Sequence, residues 1–250
     1  YDYRSVGMSL SSSKYFNQKN SEISVKGNIY LDEVTVIRPY ELRESVDKFK
    51  YNTTGRNSFS LSTALNQVLS KRMQMSLLID LVYQSGFLST PFNRVKLVGA
   101  VADSLEILPS TRFKLPIGTR FNYYLNDKSA LRTYYRVYWD NWGILSNTLE
   151  AELPTKITQT ITLSPYFRVY QQTAAKYFGA YNTLAMGSQY RTSDYDLSEF
   201  VSIMPGLSAR IQPENGIIKS WFHSIDLKYS YYHRSNNLNA HNVTVLLKFK

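Results

Sequence analysis

Apolar and polar residues alternate along most of the chain, most clearly in its last stretch. Apolar residues take every second position from Ile225 to Tyr231, and after a polar run they do so again from Val243 to Phe249. Because successive side chains of a β-strand point to opposite faces, each segment has one apolar and one mostly polar face. A transmembrane β-barrel requires this arrangement, with lipid outside and a polar lumen inside.

The same period-two pattern predicts about eleven strands in the whole chain. They are Tyr3–Phe16, Glu22–Ile37, Ser58–Leu69, Met73–Phe87, Phe113–Leu125, Ala130–Trp139, Leu145–Leu153, Thr158–Gln171, Phe200–Ile211, Phe222–Arg234 and Asn242–Phe249. In almost every strand the odd-numbered residues are apolar and the even-numbered positions carry the charges. A soluble β-sandwich would show the same alternation, but its strands are usually shorter and its inner face is less rich in tyrosine.

Short and long connections alternate along the chain. Short polar turns follow the strands that end near Phe16, Leu69 and Leu125, whereas the long connections 88–112 and 172–199 lie at the opposite end. Outer-membrane barrels have short periplasmic turns and longer extracellular loops. We therefore expect an all-β fold, an antiparallel transmembrane β-barrel of about 12 to 14 strands with long extracellular loops, in which residues 1–250 form one domain. An even strand number also requires an upward strand before Tyr1, so we expect one or more further N-terminal strands.

The composition narrows the classes of protein that fit this pattern. Hydrophobic residues make up 43% of the chain, yet no apolar run approaches the roughly 18 residues of a spanning helix. The net charge of +10 is spread over single Lys and Arg residues, with no basic helix that would indicate nucleic-acid binding. The absence of cysteine excludes a disulfide framework and a thiolate metal site.

Four segments resemble a known family. They are Leu108–Phe113, Tyr134–Ile144, Tyr166–Phe178 and Thr192–Leu197. They are similar to a family of outer-membrane β-barrels from Bacteroidota and other Gram-negative bacteria, known chiefly as a domain of unknown function. The resemblance covers residues 91–250 well and the first ninety residues loosely. It implies a barrel in the bacterial outer membrane and brings no catalytic residues with it.

Charged residues gather at even-numbered positions of the later strands, which the barrel prediction places in the lumen. This predicted lumen charge network consists of Arg120, Arg132, Arg136, Glu150, Glu152, Arg168, Arg210, Asp226 and Lys228. With a tight turn at Asn141 or Trp142, antiparallel pairing sets Arg132 opposite Glu150 or Glu152, and Arg136 close to Thr148. The charges either form a basic constriction that selects anionic solutes or pair with one another to fill a narrow lumen. We favour the second interpretation.

Two histidines and three carboxylates suggest an alternative function. His233 and His241 flank the last predicted outer loop, and Asp194, Asp196 and Glu199 lie in or beside the preceding one. Together they would form a metal site or an acid–base pair in a loop-borne enzyme acting on lipid or surface polymer. The sequence contains no local motif such as His-Glu-x-x-His, so we predict no catalytic residues, no metal site and no cofactor.

Aromatic residues and the two long loops complete the picture. We expect Trp139, Trp142, Trp221 and Phe249 to be interfacial aromatic residues at the lipid boundary. The segment Gln171–Phe178 lacks turn residues and predicts a short helix that packs into the barrel mouth. The connection 88–112 predicts a hairpin formed by Val95–Val101 and Leu105–Leu108.

These patterns together predict an integral, non-enzymatic protein of the bacterial outer membrane. Its function is a small pore or an accessory subunit of an envelope complex. The expected partners are the lipid bilayer with its lipopolysaccharide, the outer-membrane assembly machinery and other envelope proteins, and nucleic acid is excluded.

Overall fold

The computed structural model describes residues 3–43, 51–217 and 222–249. The strands are β1 Tyr3–Phe16, β2 Ser21–Thr35, β3 Thr53–Ser70, β4 Met73–Gly86, β5 Arg94–Val95, β6 Ser104–Leu105, β7 Thr111–Tyr124, β8 Ala130–Asp140, β9 Leu145–Glu152, β10 Thr155–Lys156, β11 Ile161–Gln172, β12 Phe200–Ile211, β13 Phe222–Arg234 and β14 Leu238–Phe249. Single 3-10 turns lie at Tyr40–Leu42 and Tyr195–Leu197. Within the described ranges, no helix is long and apolar enough to cross a membrane.

The strands form one antiparallel meander. Sheet order follows chain order from β1 to β14, except that β5 and β6 pair only with each other and the two-residue β10 joins at the side of β11. Counting β10, the described part of the chain builds a sheet of twelve strands. The all-β antiparallel prediction is confirmed, and every one of the eleven predicted strands is present. Three predicted strand starts were wrong by three residues or more: β3 begins at Thr53 and not Ser58, β11 at Ile161 and not Thr158, and β14 at Leu238 and not Asn242. In β14 the reason is Asn237, which takes a positive φ of 69° and closes the turn within three residues.

The two faces of the sheet differ as the alternation predicted. Odd-numbered apolar residues from β2 onward point outward and stay exposed, for example Leu149 at 54%. Even-numbered residues point to the other face, where Ser146, Thr148 and Ser164 are buried. The first strand has the opposite numbering, since Met8 pairs with Ile29 and its even-numbered residues therefore point outward.

The sheet curves strongly around its even-numbered face, which we call the lumen face. Arg120 on β7 and Lys228 on β13 line one cavity, although five strand spacings separate these strands in the sheet. At a spacing of about 4.8 Å a flat sheet would place them roughly 24 Å apart. Among the described residues β1 and β14 each pair on one side only and run in the same direction.

Two long connections fold together over one end of the sheet, and we call residues 87–110 and 173–199 the cap. Backbone bridges join Leu97 to Leu184 and Ile107 to Arg191. Most of the buried apolar residues lie in or under the cap: Val95, Leu97, Leu108, Trp142, Ile144, Ala175 and Phe200. The predicted hairpin in the first loop exists as β5 and β6, shorter than expected.

The predicted helix at Gln171–Phe178 was wrong. Strand β11 continues to Gln172. Of the amides that follow, Thr173, Ala175 and Lys176 bond to distant carbonyls, and only Phe178 bonds within a local turn, to the Ala175 carbonyl. The Ala175 N–H donates to the Leu197 carbonyl and the Lys176 N–H to the Trp142 carbonyl. Because these bonds satisfy the backbone, the segment needs no helix.

Candidate functional site: the lumen face and its mouth

Three ion pairs stand across neighbouring strands on the lumen face. Arg132 lies opposite Glu152 with a nitrogen–oxygen distance of 3.3 Å, and Arg168 lies opposite Glu150 at 3.4 Å. Arg210 donates two hydrogen bonds to Asp226, of 2.6 and 2.8 Å. Arg136 pairs in register with Thr148. The arginine side chains of the three pairs are 42–56% exposed, so the pairs line the lumen face without filling it.

Three cations of the network stack on tyrosine rings. The Arg120 guanidinium lies 5.1 Å from the ring centre of Tyr134, and that of Arg136 lies 5.9 Å from Tyr138. The Lys228 ammonium lies 4.0 Å from the ring centre of Tyr166. Within the described residues none of these three cations forms an ion pair with a carboxylate, so their charges are not neutralised there.

Glycines on the neighbouring strand support two of these rings. A Cβ atom at Gly206 would lie 2.3 Å from the ring of Tyr166, and one at Gly118 would lie 3.0 Å from that of Tyr134. Each ring therefore lies against bare backbone, which only glycine permits. The result is a layered arrangement of glycine, tyrosine and cation, found at Gly118–Tyr134–Arg120 and at Gly206–Tyr166–Lys228.

Three cavities follow one another along the lumen face. One of about 360 Å³ includes Lys26, Asp80 and Arg136 and shares Arg120 and Tyr134 with the next. That next cavity, of about 420 Å³, is called the central cavity here. It shares Arg132 and Glu152 with a third, of about 300 Å³, near the short turns. Because neighbouring cavities share lining residues, the three form a series along the charged face of the sheet.

A buried carboxylate organises the mouth below the cap. Asp140 is fully buried, and its Oδ2 accepts hydrogen bonds from Arg112 at 2.5 Å and from the Tyr138 hydroxyl at 2.8 Å. Its Oδ1 accepts from the Ile144 N–H at 3.0 Å, which closes the turn between β8 and β9. Gly143 makes this turn possible with a φ of +97°.

Trp142 corrects one sequence prediction. It is only 2% exposed, its Nε1–H donates to the Thr111 carbonyl at 2.9 Å, and the Arg112 guanidinium stacks 4.3 Å from its ring. It is therefore a core residue under the cap and not an interfacial one. Trp139 points outward beside Phe113, and Phe249 is exposed next to Phe222; their interfacial role stays a prediction. Trp221 lies outside the described residues.

The second loop of the cap is fastened to the lumen face by Gln172 and Arg234. The Gln172 amide donates to the carbonyls of Asp196 and Ser198, the second at 2.5 Å. The Arg234 guanidinium donates to the Asp196 carboxylate at 2.6 Å and to the Tyr195 carbonyl. Since both side chains are buried, this loop covers the lumen face of β11 to β13 at the mouth.

An ion pair joins the first loop of the cap to the segment that contains Tyr40–Leu42. Arg94 forms an ion pair with Glu41, with a nitrogen–oxygen distance of 2.6 Å. A backbone hydrogen bond within its own segment, followed by the bond from Arg94, lowers the pKa of Glu41. The pair therefore persists below the pH at which an ordinary glutamate is protonated.

The residues of the alternative enzyme are not brought together. Asp196 is engaged by Arg234, and Asp194 accepts a hydrogen bond from the Asp196 N–H at 2.9 Å. His233 and His241 are odd-numbered and lie on the outward face, where they bond to Asn239 and Tyr229. Across the described ranges no group of three or more His, Asp or Glu side chains could hold a metal ion.

Sequence reasoning missed Arg112, Arg234 and the stacked tyrosines Tyr134 and Tyr166. Both arginines are even-numbered, which signals the lumen face, but they stand at strand ends where only the folded loops reveal their partners. The tyrosines are also even-numbered. A tyrosine on a predicted lumen face, with glycine on the neighbouring strand, was the available signal.

Comparison with known proteins gives a family and two similar folds. A search of curated proteins finds no match. The solved structure titled "KdgM porin in complex with disordered oligogalacturonate" is 10% identical with a TM-score of 0.38, and the alignment covers 99% of this chain and 98% of that one. The outer membrane transporter YddB from Escherichia coli is 11% identical with a TM-score of 0.46, over 98% of this chain and 36% of that one.

The family match is more extensive than the resemblance in the sequence suggested. A family model described as "Protein of unknown function (DUF3570)" matches residues 1–246. It therefore includes the first ninety residues, where the resemblance was loose. The chain belongs to the DUF3570 family of proteins of unknown function.

Proposed function

We propose that the chain is a non-enzymatic pore for small hydrophilic solutes. Its architecture is that of a bacterial outer-membrane β-barrel, with an antiparallel meander, an apolar outward face in contact with lipid, and short turns opposite long loops. The observation that supports a pore is the series of neighbouring cavities along a charged lumen face. The exposure of the paired arginines argues against our expectation that ion pairs fill the lumen, because a filled lumen would bury them.

The cap determines how solutes enter. It covers the lumen face on β11 to β13 through Gln172 and Arg234, and it leaves the cavities nearer the short turns unobstructed. We expect the narrowest part of the path at the outer mouth. Lipopolysaccharide surrounds the barrel in the outer leaflet, where the tyrosines of the outward face suit the boundary between lipid and water.

Single-channel recording tests the proposal. The full-length protein, purified in detergent and inserted into planar bilayers, should give discrete conductance steps that favour anions, because Arg120, Arg136 and Lys228 carry unneutralised charge. Replacing these three residues by glutamine should shift the reversal potential toward cation selectivity. Replacing Lys71 and Arg72, which lie in a turn outside the lumen, should leave the reversal potential unchanged. A folded protein that never conducts would refute the pore.

A second function has support from the outer surface of the cap. Val98, Val101, Tyr181 and Met186 are exposed apolar residues of its two loops, and Met186 approaches Gly99 to within 3.3 Å of its Cβ position. Exposed apolar patches often mark protein interfaces, so the chain would then be an accessory subunit of an envelope complex. A stable complex that is purified with the wild type, and lost from a V101D/M186D variant that still folds, would favour this role.

A further inference from the structure

The central cavity has walls of unequal charge. Two carboxylates line it, Glu152 and Glu150. Glu152 is paired with Arg132, which also lines the cavity, and Glu150 with Arg168, which lies outside the lining. Arg120 and Lys228 also reach this cavity, and no described residue neutralises either of them. Two positive charges are therefore left over around one space.

Both of these cations are held in place without losing their hydrogen-bonding capacity. A cation above a ring face gains energy from the ring but keeps its N–H donors free. Among the described residues, neither Arg120 nor Lys228 donates a hydrogen bond to another side chain or carbonyl, and their rings rest on Gly118 and Gly206. Positioned donors of this kind reduce the entropy that a ligand must overcome on binding.

We propose that the central cavity binds a small solute with two anionic groups, one held by Arg120 and the other by Lys228. A volume of about 420 Å³ suits a small metabolite. A neutral sugar fits less well, because sugars stack on bare aromatic faces, and each of these rings already has a cation over it and a glycine against it. The inference rests on the proposed pore only for the route by which the solute enters and leaves.

Calorimetric titration in detergent tests the site with succinate as the dianion. Acetate serves as the single-charge probe and succinamide as the neutral one. The wild type should bind succinate at least about tenfold more tightly than acetate, as one additional charge-assisted contact implies. Arg120→Gln and Lys228→Gln should each reduce the succinate affinity about tenfold, and the double variant should lose the preference over acetate.

Lys71→Gln is the control. Lys71 lies in a turn outside the central cavity, so its replacement removes one positive charge and should leave succinate binding unchanged. Equal affinities for succinate and acetate, or equal losses in the K71Q and K228Q variants, would overturn the site. A heat-dependent gel shift shows that each variant is folded. Conductance without succinate binding would support the proposed pore and refute the proposed site. Succinate binding without conductance would support the site and refute the pore.

Discussion

Glycine at two positions decides how the lumen face is packed. The rings of Tyr134 and Tyr166 occupy the space that a side chain at Gly118 or Gly206 would fill. This position of the rings brings Arg120 and Lys228 above them. The absence of a Cβ atom on the strand next to each tyrosine therefore helps to fix the position of a charge. A substitution at either glycine therefore affects both stability and the charge distribution.

Gly206→Val should destabilise the barrel. The new Cβ would lie 2.3 Å from a ring carbon of Tyr166, and overpacking of this kind costs about 1–3 kcal/mol. Urea unfolding of the protein refolded into lipid vesicles measures the loss. Gly27→Val is the matched control, because nothing lies within 4 Å of its Cβ position, and it should unfold like the wild type. A Tyr166→Ala change added to Gly206→Val should recover part of the loss, and no recovery would show that the ring is not the cause.

Asp140 holds together the residues at the strand ends below the cap. It accepts hydrogen bonds from Arg112, Tyr138 and the Ile144 N–H while fully buried. Asp140→Asn keeps the shape but leaves the buried guanidinium of Arg112 without its counter-charge, at a cost of about 3–5 kcal/mol. Urea unfolding should show a large loss for this variant and none for Asp127→Asn in an exposed turn. Equal stabilities would mean that Arg112 finds another partner.

At the scale of elements, the strands were predictable and the cap was not. Period-two alternation is a local signal, so Phe200–Ile211 and Phe222–Arg234 were obtained to the residue. The cap depends on contacts between distant residues, such as Leu97 with Leu184, which leave no periodic trace. For the same reason Trp142 was assigned to the lipid boundary, since a tryptophan in a girdle and one under a loop look alike in sequence.

The two loops of the cap should separate when Glu106 is removed. Its buried carboxylate accepts hydrogen bonds from the Thr90 N–H at 2.5 Å, the Asn93 amide at 3.2 Å and the Thr192 hydroxyl at 2.5 Å. Glu106→Ala should reduce the local stability of the cap by about 3 kcal/mol, and limited proteolysis should cleave residues 173–199 faster while the strands remain protected. Asp103→Ala removes only the 3.7 Å pair with Lys96 and should leave the cleavage rate unchanged, since a long, partly exposed pair of this kind contributes little. Equal cleavage of both variants would mean that Glu106 does not join the loops.

At the scale of the whole molecule, the lengths of the connections indicate which end of the sheet faces the outside of the cell. The cap joins strand ends on one side, and the turns that include Asp127 and Lys19 join ends on the other. Outer-membrane barrels place long loops outside the cell and short turns in the periplasm. The chain contains no cysteine, so a single introduced thiol reports the position of one residue without interference.

Labelling of intact cells with a membrane-impermeant maleimide should therefore distinguish three positions. Val101→Cys is fully exposed on the cap and should react in whole cells. Asp127→Cys should react only after the outer membrane is permeabilised, because its turn faces the periplasm. Leu149 lies on the apolar outward face. Leu149→Cys should stay unlabelled until the protein is unfolded, because a thiol in hydrocarbon remains protonated and only the thiolate reacts with maleimide. If Asp127→Cys were labelled in intact cells and Val101→Cys were not, the barrel would have the opposite orientation in the membrane. The cap would then lie at its periplasmic end.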